Sequence, residues 1–296
     1  MHGLLAELYA SRGDVPVRGG MVYPALLRPG AVTFRRAQRA PVIAGPLLAR
    51  AGEDELARWL AGGAGIWDGD TVNFAGWDGD TLLWFPGRYF DMLRTTETLA
   101  AEISRAGDTD GLHALALRRE THELAGGDPW LHGDGRAAAL ACSGLLVVTC
   151  DEGRFVVLGR RGSHMHVLPD MWDVMPSGMT EMQQDGRCAP DVDVIRELCE
   201  ELPELASRNT EMQVRQMGCG LALDTLRWHL SYRIDLTART LDDALSWATG
   251  SDEFAEARAV ELTADSLNRF WRTVGPSTLT TVAAISLCLL EREERI

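Results

Sequence analysis

The sequence predicts an α/β protein: a sheet-containing α/β domain over residues 139–296, preceded by an α+β region over residues 1–138. Three observations carry this. From about residue 139 the chain turns to short apolar runs rich in Val, Leu and aromatics, broken by turn residues. Helical spacing returns in isolated stretches after them, and a parallel or mixed sheet with covering helices gives this alternation. The first 138 residues show helical spacing in three stretches but no comparable set of strands.

In chain order, "EDELARWLAG", "TETLAAEISRAG" and "GLHALALRRETHELAG" have the helical period. Between the first two lies an echo, "WDGDTV" at 67–72 and "WDGDTL" at 77–82. Paired Asp beside Gly invites a calcium reading, but the length and closing glutamate of an EF-hand loop are missing. Asp-Gly between apolar runs signals a hairpin turn, and both copies are read as turns. "GGDPWLHGDGR" leads to the boundary near 133–138, as a linker or as a loop within one unit. "ALACSGLLVVTCDEGRFVVLGRR" predicts strands at 140–149 and 154–160 joined by Asp151-Glu152-Gly153. A short strand follows near 171–175, with Trp172 as core, then a helix at 192–202 ended by Pro203. "RWHLSYRIDL" (227–236) predicts a strand, and "TADSLNRFWRTV" and "PSTLTTVAAISLCLLERE" two helices, Pro276 opening the second.

The 296 residues suffice for one large domain or two ordinary ones. The net charge of −14 argues against a sequence-independent grip on a nucleic-acid polymer, which needs a basic surface. Small anionic substrates stay open, because a bound cation inverts the local field. The chain has no lysine, so its fixed positive charge is all arginine. The six cysteines form no C-x-x-C pair and no zinc spacing, which predicts reduced thiols in a cytoplasmic protein. The start, "MHGLLAELYASRGD", lacks the basic-then-apolar pattern of a signal peptide, and "STLTTVAAISLCLLEREERI" is too short and hydroxyl-rich to span a bilayer. No membrane association is expected.

The acidic stretch "RELCEEL" (196–202) lies in "PDVDVIRELCEELPEL". Val192, Ile195, Leu198, Cys199 and Leu202 fall at helical spacing and predict the buried stripe. Glu197, Glu200, Glu201 and Glu204 fall at i, i+3, i+4 and i+7 on another face. Repulsion at that spacing is a few tenths of a kcal/mol per solvated pair. A bare acidic face is therefore tolerable, and a divalent-metal platform is the alternative.

The preceding segment bears on that choice. "WDVMPSGMTEMQQDGRCAPDVDVIRELCEEL" resembles the signature of the Nudix hydrolases, G-x5-E-x7-R-E-U-x-E-E-x-G-U with U aliphatic. Gly178 stands as its first glycine, and Arg196-Glu197-Leu198-Cys199-Glu200-Glu201 matches R-E-U-x-E-E in full. "FVVLGRR" and "WDVMPSG" are similar to the strands that precede that signature, and the resemblance covers about residues 140–290. Ser177 replaces one family glycine and Pro203 the last one; Gln184 stands where the loop glutamate is expected, with eleven residues instead of seven before Arg196. Extra loop length is inexpensive, whereas the lost carboxylate bears on metal support. Glu181 is its candidate substitute.

The resemblance implies an α/β/α sandwich around a mixed sheet and a pyrophosphohydrolase dependent on Mg²⁺ (or Mn²⁺). It implies Glu197, Glu200, Glu201 and the Gly178 carbonyl as metal ligands, with Arg196 orienting Glu197. A base from a later loop is expected, and "TGSDEFAEARAVEL" offers Glu253 and Glu256, which as loop acids could equally be merely solvated. Arg160 and Arg161 could fork onto phosphate oxygens or be surface charge. His164 and His166 suggest a metal pair, but without a third ligand nearby a loop of substrate-contacting or exposed histidines is the plainer reading. The N-terminal region is similar in layout to UDP-sugar pyrophosphatase-like members, implying a nucleotide-sugar substrate and a region that closes over the nucleoside or supports a homodimer. The rivals are a Nudix-fold nucleotide sensor with eroded chemistry, and an interaction protein whose N-terminal half carries the function.

Overall fold

The computed structural model describes residues 26–62, 66–106, 115–165, 168–206, 212–247, 251–275 and 278–294. Strand β5 (Ala141–Cys150) is buried from Ala141 to Val148. A strand covered on both faces reads as an unbroken apolar run, which is why it was legible. It returns through Asp151-Glu152 into β6 (Gly153–Arg161), antiparallel, and pairs in parallel with β10 (Arg227–Thr237). With β1 (Leu27–Pro29), β9 (Gln213–Ala222) and β11 (Phe254–Glu261) the order is β1-β9-β10-β5-β6-β11. The strand expected near 171–175 is two short ones, β7 (Trp172–Asp173) on β6 and β8 (Ser177–Met179) on β5.

Side chains alternate across a strand, and the two faces are covered separately. Cys142, Leu146 and Val148 pack with Val194, Leu198 and Leu202 around helix Pro190–Glu201. Leu145 and Val147 pack with Phe270, Ile285 and Leu289 of helices Ala264–Val274 and Thr281–Glu294. The result is a mixed sheet between helical layers, as expected, with Trp172 buried against Phe270. Pro203 stops the acidic helix but opens a short helix of its own, Pro203–Ala206. The last helix begins at Thr281, and Pro276, expected to open it, lies outside the described residues.

The N-terminal region holds a second sheet, β2 (Thr33–Arg36), β4 (Thr81–Arg88) and β3 (Asp70–Asp78) in that order. Helices Pro46–Ala61, Thr98–Ala106 and Ala116–Leu124 pack on one another and share an apolar core with it. Tyr89–Met92 and a π-helical turn at Leu93–Glu97 lead into the second of these. Strand β3 is stitched to the segment ahead of β5: Phe74 N–H donates to Ala138 O (2.8 Å) and Leu140 N–H to Val72 O (2.7 Å). Val72 N–H reaches Thr180 O just past β8 (3.0 Å). Ala138, Ala139 and Leu140 are fully buried, so the segment at the expected 138/139 boundary is packed. Two buried guanidiniums tie the regions further. Arg118 donates to the carbonyls of Leu223 and Asp224, and Arg136 to that of Leu226 (2.9 Å). Among the described residues no helix is long and apolar enough to cross a membrane.

Candidate active site

The acidic helix opens with Pro190 in its first turn, where a missing N–H costs nothing, and with Asp191 and Asp193 at the positive end of its dipole. Its orientation differs from the expected one. Val192 is 52% exposed and Ile195 and Cys199 are half-buried, while Val194 and Leu198 are fully buried. The helix is turned by roughly one residue, ~100°, from the apolar stripe read in the sequence. The turn brings Asp193, Glu197 and Glu201, at i, i+4 and i+8, toward β8 and the loop that follows it. The acidic face is thus not uniformly solvated: Asp193 and Glu201 are buried, Glu200 is exposed, and Glu204 lies past the helix end.

Glu201 sits under β8. Its Oε1 accepts the Ser177 N–H (2.9 Å), while Oε2, also buried, has no hydrogen-bond partner among the described residues. Burial pushes its carboxyl well above the usual range; the Ser177 N–H opposes this, and the nearby charges of Glu253, Glu197 and Asp173 add to it. Glu197 lies against the Cα of Gly178: a Cβ there would stand 2.2 Å from its Cδ. A side chain there would displace the Glu197 carboxylate, which gives the motif's first glycine a physical reason here. Arg196 bridges the acids, donating to Glu197 (2.7 Å) and Glu200 (3.1 Å) and standing 3.5 Å from Glu181. Burial raises the Glu197 carboxyl, and Arg196 opposes the shift.

Glu181 faces this cluster and Gln184 does not: Glu181 lines the cavity, while Gln184 is exposed in the loop. Buried Asp193 holds that loop, accepting from the Glu181 N–H (3.2 Å) and the Gln183 Nε2 (3.0 Å), and burial pushes its carboxyl up to about 6. Asp193 was missed in the sequence because one more aspartate in a helix's first turn reads as dipole complement.

The two candidate bases separate. Glu253 precedes β11 and enters the cavities beside the helix acids, with Arg161 Nη2 at 3.7 Å from its Oε2. Glu256 is on the strand, not in a loop, and faces Arg160 at 3.7 Å. The adjacent arginines differ likewise. Arg160 is half-exposed in that pair, while Arg161 is turned inward onto Asp173 (3.4 Å) and Glu253. Asp173, a second carboxylate unrecognised in the sequence, is buried and accepts from Thr280 Oγ1 (2.7 Å) and the Val174 N–H (2.8 Å). Its own carboxyl is raised by burial against those bonds. Exposed His164 contacts the carbonyl of Asp252 through Nε2 (2.8 Å), on the loop that carries Glu253; His166 lies outside the described residues.

Two openings meet at these residues. One, of about 200 Å³, is lined by Glu197, Glu200, Glu201 and Glu253. The other, of about 490 Å³, runs from Gly178, Glu181 and Arg196 to Trp67, Thr71 and Tyr89 of the N-terminal region. Among the described residues no three His, Cys, Asp or Glu side chains already converge as a metal cluster. Arg196 holds Glu197 and Glu200. The fit to a divalent cation rests on Glu201, whose buried, unpartnered Oε2 borders the same opening as three further glutamates. An oxygen-only donor set of this kind suits Mg²⁺ or Mn²⁺.

No protein-family model matches the chain, and no curated protein does. Solved structures similar to it include a Nudix hydrolase from M. smegmatis, RenU, at 18% identity over 53% of this chain and 86% of that one, TM-score 0.34. The MutT protein from Methanosarcina mazei Go1 is 18% identical over 53% and 93%, TM-score 0.33. The NUDIX domain of Shewanella oneidensis NrtR, solved with ADP ribose, is 17% identical over 54% and 90%, TM-score 0.34. At such scores no residue role or activity passes from those proteins to this chain.

Proposed function

We propose that the chain is a Nudix-type, divalent-metal-dependent pyrophosphohydrolase that cleaves the diphosphate of a nucleoside diphosphate linked to another moiety, with nucleotide sugars among the candidates. The observation that carries this reading is the unpartnered Glu201 Oε2, buried where Glu197, Glu200 and Glu253 line one opening. Desolvating a carboxylate oxygen without a partner is unfavourable unless a cation or proton compensates it. Held by Glu197, Glu200 and Glu201, Mg²⁺ or Mn²⁺ would neutralise the diphosphate and acidify a water. Arg196 keeps Glu197 and Glu200 oriented, and Gly178 leaves room for Glu197. Glu253, steadied by Arg161, takes the proton of the attacking water as its oxygen bonds to phosphorus; the bridging oxygen leaves with the other phosphate. A cytoplasmic location belongs to the same proposal, resting on the cysteine usage.

A specific observation favours a second reading, a nucleotide-binding sensor: Arg196 already engages three glutamates, and Gln184, at the loop position of the missing carboxylate, is exposed and lines neither opening. One experiment separates the two. Nucleotide sugars, dinucleotides, coenzyme A and nucleoside triphosphates are incubated with Mg²⁺ or Mn²⁺ and the products weighed by mass spectrometry. Metal-dependent cleavage that Glu201→Gln abolishes, and that Glu253→Gln slows on the order of a hundredfold, is the expected result. Tight nucleotide binding with no turnover anywhere selects the sensor, and turnover indifferent to Glu201→Gln removes the site assignment.

A further inference from the structure

The larger opening has a wall that the motif does not supply. Its carboxylate side comes from the acidic helix and β8; its other side comes from residues 66–71 and Tyr89, outside the stretch that resembles the Nudix hydrolases. On that side Trp67 is 75% exposed, the most exposed large apolar side chain among the described residues. A single exposed tryptophan is ordinary, but this one stands on a clamped backbone. Arg88 donates to Asp68 Oδ2 (3.1 Å), to Asp70 and to the Asp68 carbonyl. The Phe90 N–H reaches Asp68 Oδ1 and the Tyr89 N–H reaches the Gly69 carbonyl, each at 2.9 Å. Gly69 carries no side chain where the indole folds over it; a Cβ would lie 3.1 Å from Trp67 Nε1. The ring contacts among the described residues do not involve Trp67. A loop fixed on both sides of a glycine thus presents an unstacked indole at the rim of a cavity whose far wall is the carboxylate cluster. Pre-ordering of this kind lowers the entropy lost when a flat ligand docks.

We infer that Trp67, with Tyr89 lining the same cavity, is a stacking subsite for an aromatic base, so that the N-terminal region selects substrates in which such a base adjoins the diphosphate. This rests on the pyrophosphohydrolase reading for the chemistry, but not for the stacking itself. The volume, about 490 Å³, is that of a small-molecule site. Stacking tolerates any base, because every base offers a π-face, so the subsite demands an aromatic moiety without choosing among purines and pyrimidines.

The test uses the full chain and neutral probes, which the acidic wall does not repel. Adenosine, uridine and ribose are titrated without metal while the indole N–H resonances are followed, Trp67 being assigned by Trp67→Phe. The expected result is a saturable shift of the Trp67 resonance with both nucleosides and none with ribose. Calorimetry on Trp67→Ala should show affinity for both nucleosides reduced about tenfold, and Trp67→Phe should retain most of it. Nucleosides that leave the Trp67 resonance unmoved, ribose that moves it equally, or Trp67→Ala binding as wild type would each overturn the inference. Nucleoside binding through Trp67 in a protein without turnover would leave the inference standing and remove the hydrolase; turnover with no stacking signature would do the reverse.

Discussion

Residues 67–72 and 77–82 differ only in their last letter, Val72 against Leu82, yet they fold differently. The second copy is the hairpin turn its sequence suggests: Asp78 pairs with Thr81, Gly79 takes φ +59°, and β3 returns as β4. Its tryptophan is half-buried, 5.2 Å from the Trp228 ring and edge-on to it, with Arg28 stacked at 3.9 Å. The first copy is no hairpin turn: the Gly69 N–H closes a tight three-residue turn onto the Trp67 carbonyl (3.0 Å). It leads into β3 at Asp70, gives Asp68 and Asp70 to Arg88, and leaves its tryptophan in the open. Apolar runs flank the second copy on both sides and can pair; ahead of the first stands "GGAG", which offers no strand to close a hairpin. The local signal is identical, so the difference lies wholly in the neighbours.

The largest effect that can break this contrast is on stability. Trp77→Ala removes a ring packed on Phe74 and Trp228 and should lower unfolding free energy by about 3 kcal/mol. Trp67→Ala should stay within about 0.5 kcal/mol of wild type. Denaturant midpoints with unchanged slopes decide it, and equal losses from both variants would mean that the first copy is structural too.

The same lesson holds on the acidic helix, where Asp191 is exposed and Asp193, two residues on, is buried. Burial raises the Asp193 carboxyl from 3.8 to about 6, so the folded state binds that proton more tightly than the unfolded one. Its contribution is present below the unfolded value and is lost as pH rises to about 6, amounting to at most roughly 3 kcal/mol over that window. His229 and His122, held down to about 3 and about 4 chiefly by burial, act in the opposite sense, since the unfolded state gains protons there as pH falls. The difference between wild type and Asp193→Asn isolates the aspartate. Stability of the variant relative to wild type should rise between pH 4 and pH 6 and then level, and urea curves that stay parallel across this range would contradict it.

These cases show what was legible. Strands β5 and β6 and the closing helices announce themselves because their apolar residues are contiguous or periodic and their turn is Asp-Glu-Gly. The R-E-L-C-E-E match located the site helix, and Gly178 is where the motif requires it. Strand β11 escaped, read as a loop, because it is a sheet edge whose apolar residues are mostly alanine, a weak strand former, interleaved with Glu256 and Arg258. Strand β9 escaped because Gly218 and Gly220 give way to Arg28 and Ile285, contacts visible only in three dimensions. The roles of Asp173, Asp193 and Trp67 depend chiefly on partners ten or more residues away, or on none.

The glycines extend the contrast at smaller amplitude. Gly79 has open space around it, so Gly79→Ala meets only the strain of a left-handed backbone, about 1 kcal/mol, and Gly79→Asn should recover part of it. Gly69→Ala should hardly change the midpoint, because the group it crowds is the exposed indole. The Trp67 resonance should move while that of Trp77 does not, and a large stability loss at Gly69 would place the indole in the core after all.

The smallest effect concerns the arginines that hold the two copies. Arg35 meets Asp78 with both side chains about 60% exposed, and such a pair adds little. Arg88 is also largely in water but makes three contacts to one loop, so its role should show in order and not in stability. Arg88→Gln should leave the denaturation midpoint near wild type, yet speed hydrogen exchange at the Phe90 and Tyr89 amides, whose acceptors are Asp68 and Gly69. Raising salt to screen the pairs should move wild type part of the way toward the variant. Arg35→Gln should leave the Trp77 indole where it is, because the rings around it and Arg28, not Asp78, set its position. Unchanged exchange in Arg88→Gln would mean that the strand entry alone orders the Trp67 loop, and the arginine clamp would then be dispensable to the stacking subsite.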